Sequence, residues 1–181
     1  VTWGAKALRD AIADDWLRRV GASIDPERQV TVCCGSTEAM MATLLAIVDP
    51  GDEVVVFEPF YENYGPDAIL SGATPRFVRL RPPSVDGGTW SFDPDELRAA
   101  FTNRTRAIVI NTPNNPTGNP VNLAELEALL ALNALIVVDE AYVEFGGQSV
   151  VPLIASHPNL VVLRTFSKWA GLAGLRVGYS I

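Results

Sequence analysis

The chain has 181 residues, 48% of them apolar and 19% charged, with 21 acidic against 14 basic side chains and a net charge of −7. That is material for one sizeable core, and it excludes a disordered chain. The acidic balance, with no basic stripe, excludes nucleic acid as the expected partner, and no run of about 18 apolar residues is present to form a membrane-spanning helix.

In chain order, residues 5–20 place Leu8, Ile12, Trp16 and Val20 four apart, the spacing of an amphipathic helix, with Gly21 as its stop. QVTVCC (29–34) reads as a short strand. Its adjacent Cys33 and Cys34 build neither a disulfide framework nor a metal site, so they read as small apolar residues ending a buried strand in a reducing compartment. Gly35-Ser36-Thr37 is a turn into a helix over about 38–48, closed by Pro50-Gly51. EVVVFE (53–58) is a buried strand, 59–66 an aromatic loop, 66–71 a short helix and TPRFVRL (74–80) an alternating strand. RPPSVDGG (81–88) is a surface loop, and Asp93-Pro94 caps a helix over 93–101. RAIVIN (106–111) is a buried strand ending in TPNNPTGNP. A helix over 123–132 and strands over 134–140 and 159–168 complete the pattern. The chain opens at Val1 inside a continuing pattern and with no signal-peptide profile, so a missing N-terminal segment and a cytoplasmic location are expected.

Continuous apolar strands alternating with helices predict an α/β fold: three layers, αβα, around a mostly parallel sheet covered on both faces. No repeat, low-complexity tract or linker divides the chain, so residues 1–181 are read as one domain. In such sheets ligands sit beyond the carboxyl ends of the strands. Ser36 and Thr37, Tyr61, Asn115, Asp139 and Lys168 all fall at those ends.

Of the fourteen basic residues twelve are arginine; the two lysines are Lys6 and Lys168. Arginine stays protonated and cannot act as an amine nucleophile, whereas a lysine in apolar surroundings can. Lys168, in TFSKWAGLAGLRVGY, is therefore the candidate amine, although its position alone fits a lysine reaching solvent equally well. Arg176, eight residues on and flanked by glycines, suits a bidentate grip on phosphate or a structural ion pair. Thr165 and Ser167 add hydroxyls. Gly35-Ser36-Thr37, opening a helix, favours an anion but has the same appearance as an ordinary N-cap. Neither a Walker-type Gly-Lys-Ser/Thr nor a GxGxxG is present. Asp139 ends an apolar strand and needs a partner, for which a protonated ring nitrogen or a salt bridge would serve. Tyr142 and Asn115 can hydrogen-bond a ring oxygen, and Tyr61, after Glu58-Pro59-Phe60, can stack on a flat ring. His157, the single histidine, lies in a loop and is given no catalytic role. No metal site is expected.

Taken in order, these motifs resemble the class I/II aminotransferases, the fold type I pyridoxal-phosphate enzymes, over nearly the whole chain. RTFSKWAGLAGLRVGY and VVDEAYVEF resemble histidinol-phosphate aminotransferases. GSTEAMMATLLAIVDPGDEVVVFEPFYENY resembles the kynurenine, methionine or aspartate type. The resemblance implies pyridoxal 5'-phosphate as cofactor and Lys168 as its Schiff-base lysine and proton shuttle. It implies Asp139 as partner of the pyridine nitrogen, Asn115 and Tyr142 at the ring oxygen and Tyr61 as the stacking aromatic. Ser36, Thr37, Thr165, Ser167 and Arg176 are then the phosphate cup. It implies transamination between an amino acid, or a histidinol phosphate-like amine, and a 2-oxo acid in amino-acid metabolism, by a homodimer. Residues 1–181 would be the large domain, incomplete at its C-terminus and without the small domain that supplies a carboxylate-binding arginine. A decarboxylase or lyase of the same fold, and a non-catalytic cofactor-binding fragment, are the competing readings. The 24 residues from Asn115 to Asp139 are a few fewer than the family pattern leads one to expect.

Overall fold

The computed structural model describes residues 2–85 and 87–181. Asp86, in the expected surface loop, lies outside them. Eight strands form one sheet: β1 (Thr31–Cys33), β2 (Glu53–Glu58), β3 (Thr74–Arg81), β4 (Ser91–Phe92), β5 (Thr105–Asn111), β6 (Leu135–Asp139), β7 (Leu160–Thr165) and β8 (Gly178–Ser180). Their spatial order is β1-β8-β7-β6-β5-β2-β3-β4. The central strands β3, β2, β5, β6 and β7 run parallel, while β8, β1 and β4 pair antiparallel at the two sides. This is the mostly parallel α/β architecture read from the sequence.

The parallel strands read clearly because they are buried on both faces. Val54, Val55 and Val56, Ala107 and Ile108, and Ile136, Val137 and Val138 are sealed from solvent. Helices α1 (Lys6–Val20), α4 (Pro94–Ala100) and α5 (Leu123–Leu130) cover one face, with Ile12, Trp16, Leu126 and Leu129 in its core. Helices α2 (Ser36–Ile47) and α3 (Tyr64–Leu70) cover the other, with Met40, Leu44, Tyr64 and Ala68.

Helix ends follow local chemistry. Gly21 ends α1 in the left-handed region at φ 72°, its N–H returning to the Leu17 carbonyl. Asp93 caps α4 by accepting from the Asp95 N–H, and Asn122 caps α5 in the same way at Ala124.

Several expectations are corrected. The apolar stripe of α1 ends at Trp16: Val20 is exposed, and Arg9 is buried instead, donating to the Gly4 and Pro26 carbonyls. Helix α3 starts at Tyr64 rather than Pro66, which a first turn tolerates because its proline lacks only an N–H that has no helical partner there. β1 is an edge strand, half-buried, and Cys34 beyond it is exposed, so the cysteines do not end a buried strand. β7 stops at Thr165, which leaves Ser167 and Lys168 in a turn. β4 and β8 had no sequence signal; two or three residues hold as strands only through their pairing partners.

Candidate active site

The carboxyl ends of β5, β6 and β7 meet the start of α2 in one cleft. It is lined by Ser36, Thr37, Tyr61, Tyr64, Asn111, Asp139, Ala141, Tyr142, Thr165, Ser167, Lys168 and Arg176. Strand register does the gathering. Gly178 on β8 pairs with Cys33 on one side and Thr165 on the other. The turn that opens α2 and the end of β7, remote in sequence, therefore flank a single glycine. A Cβ at Gly178 would lie 2.5 Å from the Gly35 carbonyl carbon and 2.6 Å from the Ser36 nitrogen, so only glycine permits this approach.

One end of the cleft gathers the kinds of group that suit an anion. Gly35 precedes α2 at φ 87°, no side chain caps the helix, and the hydroxyls of Ser36 and Thr37 stand at its first turn. The Thr165 hydroxyl donates to Ser167 Oγ at 2.9 Å, and Arg176 Nη1 donates to the same oxygen at 3.4 Å. Arg176 is held in the left-handed region at φ 48°, a conformation that costs a non-glycine residue about 1 kcal/mol. A Cβ on Gly35 would sit 2.7 Å from Arg176 Nη2, so this glycine too makes room for the guanidinium.

The other end holds a buried acid. Asp139, 4% exposed, ends β6; its Oδ1 accepts the Ala141 N–H at 2.9 Å and its Oδ2 accepts the Tyr64 hydroxyl at 2.8 Å. Burial pushes its carboxyl upward, and the Tyr64 and Ala141 hydrogen bonds oppose that shift. The Tyr61 and Tyr64 rings pack edge to face with centroids 5.7 Å apart. Lys168 Nζ stands 5.3 Å from the centroid of the Tyr142 ring. Lys168 is exposed at the cleft mouth rather than buried, because the chain has left β7 before reaching it.

Nine of the ten residues singled out in the sequence line the cleft. Asn115 does not: it lines a neighbouring pocket with Pro113, Pro116, Phe145 and Tyr142, which the two pockets share. Asn111 takes the place at the strand end, donating to the Asp139 carbonyl at 3.0 Å and accepting the Asn115 N–H at 2.6 Å. A polar residue closing the apolar run RAIVIN was the available signal for Asn111, the same signal that marked Asp139. Tyr64, three residues after Tyr61 in the stretch read as an aromatic loop, offered no such signal.

A mostly parallel sheet that gathers a helix start, four hydroxyls, a guanidinium, a buried acid and one amine at its carboxyl edge makes an α/β domain with one strongly polar cleft. Comparison with known proteins makes the class specific. The model of the aminotransferase class I and II family matches residues 2–181, and the chain belongs to that family. It is 43% identical over 143 residues to a probable N-succinyldiaminopimelate aminotransferase of Mycobacterium tuberculosis, covering 77% of this chain and 35% of that protein. A histidinol-phosphate aminotransferase of Roseiflexus castenholzii is 41% identical over 158 residues, covering 86% and 40%. The solved structure of N-succinyldiaminopimelate aminotransferase from M. tuberculosis superposes with a TM-score of 0.88 at 34% identity, over 99% of this chain and 48% of that one. The chain thus spans between a third and a half of the length of these relatives.

Proposed function

We propose that this chain is the cofactor-binding large domain of an aminotransferase that moves an amino group between an amino acid and a 2-oxo acid, with pyridoxal 5'-phosphate in the cleft. The observation that carries the reading is the placement of one amine, Lys168, one buried acid, Asp139, and one anion cup around a single space. The donor set fits the cofactor. Four hydroxyls, a guanidinium and a helix start suit a phosphate dianion. A carboxylate whose burial disfavours its charge suits a cationic ring nitrogen.

When bound, the cofactor supplies an aldehyde and an electron-withdrawing ring, chemistry that no side chain offers. The residues orient it and move protons. Ser36, Thr37, Thr165, Ser167 and Arg176 would hold the phosphate. Asp139 would pair with the ring nitrogen, with the Tyr64 hydroxyl and the Ala141 N–H steadying the carboxylate. Tyr61 would cover a ring face, and the Tyr142 hydroxyl would serve the ring oxygen. Lys168 Nζ is the amine that would anchor the aldehyde and, when free, the base that would move the proton at the substrate's α-carbon.

The test is direct. The chain mixed with pyridoxal phosphate gains a visible absorbance band, and borohydride reduction fixes the label on Lys168 while Lys6, ion-paired to Asp10 at 2.7 Å, stays unlabelled. Lys168→Ala loses both band and label. A band retained in that variant removes Lys168 from this role.

A further inference from the structure

Arg164 sits on β7 one residue before Thr165 and points to the opposite face of the sheet, into the layer formed by α1. Its side chain is 3% exposed. The guanidinium lies 5.2 Å from the centroid of the Trp16 ring, and the Trp16 indole N–H donates onward to the Tyr179 hydroxyl at 3.2 Å. Its two terminal nitrogens diverge to two carboxylates. Nη1 donates to Glu140 Oε2 at 2.8 Å, and Nη2 donates to Glu144 Oε1. Glu140 is fully buried and accepts two further hydrogen bonds, from the Ser149 hydroxyl at 2.8 Å and the Val150 N–H at 2.6 Å. Between the two gripped carboxylates lies Tyr142. Immediately before the first of them lies Asp139.

We infer that Arg164, Glu140 and Glu144 form a positioning clamp: one guanidinium holds the chain on both sides of Tyr142, and so sets Tyr142 and Asp139 against the strand that leads to Thr165, Ser167 and Lys168. The two walls of the cleft come from β6 and β7. Their backbone pairing sets Asp139 opposite Leu163 and ends where the Glu140 N–H donates to the Leu163 carbonyl at 2.9 Å; past Glu140, among the described residues, side chains fix the spacing of the two walls. A planar fork with two diverging acceptors does this with fixed angles, which a single lysine ammonium would not. Stability alone is a poor reason for the arrangement, because apolar residues of equal volume usually stabilise a core at least as well as a buried ion pair. What the clamp adds is geometry. Its significance for catalysis rests on the proposed cofactor site; its effect on the cleft does not.

The informative variant is Glu144→Gln. Glu144 is 19% exposed on its side chain, and replacing it leaves the Arg164–Glu140 pair intact, so no buried charge is stranded. The variant keeps the parent's melting temperature within a few degrees, while pyridoxal phosphate titrated by absorbance binds roughly tenfold more weakly, because the ring-facing groups lose their set positions. A second readout needs no cofactor. In competitive acetylation, the rate at Lys168 relative to Lys6 rises, since the Tyr142 ring beside Nζ is no longer held. Arg164→Lys, which keeps the charge but loses the fork, moves both readouts the same way. If Glu144→Gln binds pyridoxal phosphate as the parent does and shows the parent's Lys168 to Lys6 ratio, the clamp is overturned, whatever the melting temperature does. If the parent itself binds no pyridoxal phosphate, the cofactor reading falls, and the acetylation ratio alone decides for or against the clamp.

Discussion

Asp67 lies on the buried side of α3, 7% exposed, and its Oδ2 finds no hydrogen-bond donor among the described residues. Burial pushes its carboxyl up from 3.8 to about 6. The folded chain therefore holds the proton over a window in which the unfolded chain has lost it. Stability falls as pH rises from about 4 to about 6 and stays reduced above that. Asp67→Asn should raise the unfolding free energy at pH 8 by about 1–2 kcal/mol and change little at pH 3.5. Denaturant titration at the two pH values measures this, and an equal effect at both would show that ionisation is not the cause. Lys168 teaches the complementary lesson at this scale. Its candidacy was legible because an arginine-rich chain keeps so few lysines. Its exposure was not, because that depends on where β7 ends.

At the scale of elements, β8 decides whether the cleft exists. Three residues, Gly178 to Ser180, join the α2 turn to the end of β7. Gly178→Ala would place a methyl 2.5 Å and 2.6 Å from backbone atoms of Gly35 and Ser36 and 2.7 Å from the Arg164 carbonyl, none of which can swing away. The expected cost is about 1–3 kcal/mol of stability, as for other overpacked sites, together with weaker binding of inorganic phosphate. Calorimetry and phosphate titration check the pair, and unchanged phosphate affinity would show that the α2 turn and β7 do not need this contact. The long parallel strands could be read in advance because burial on both faces leaves an unbroken apolar run. β4 and β8 could not, because their extended backbone is imposed by neighbours. The same contrast separates Asp139, marked by the strand it ends, from Tyr64, whose hydroxyl reaches that acid only after α3 has packed on the sheet.

For the molecule as a whole, the end of the sheet opposite the cleft is tied by charge. Glu53, sealed at the start of β2, accepts from Arg76 on β3 at 2.6 Å, from Arg104 before β5 at 2.8 Å and from the Thr102 hydroxyl at 2.6 Å. The Arg76 hydrogen bond first, then Thr102 and Arg104, hold its carboxyl at about 2 against an ordinary 4.5. The sign is the reverse of that for Asp67. The stabilisation is fully present above pH 4.5 and is lost as pH falls toward 2. Glu53→Gln should lower the melting temperature at pH 7 and flatten its fall between pH 5 and about 2.5. A melting curve as steep in acid as the parent's would place the acid sensitivity elsewhere.

Local patterning settled the alternation of strand and helix, the family and the residue types at the strand ends. Periodicity, caps and turn residues act over a few neighbours, and those neighbours are printed side by side in the chain. Strand order, the antiparallel return of β8, the exposure of Lys168, the places of Asn111 in the cleft and Asn115 in the pocket beside it, and the grip of Arg164 on both sides of Tyr142 came from the packed molecule. Each depends on residues distant in the chain meeting across a sheet or a core, and no short-range pattern encodes which of them will meet.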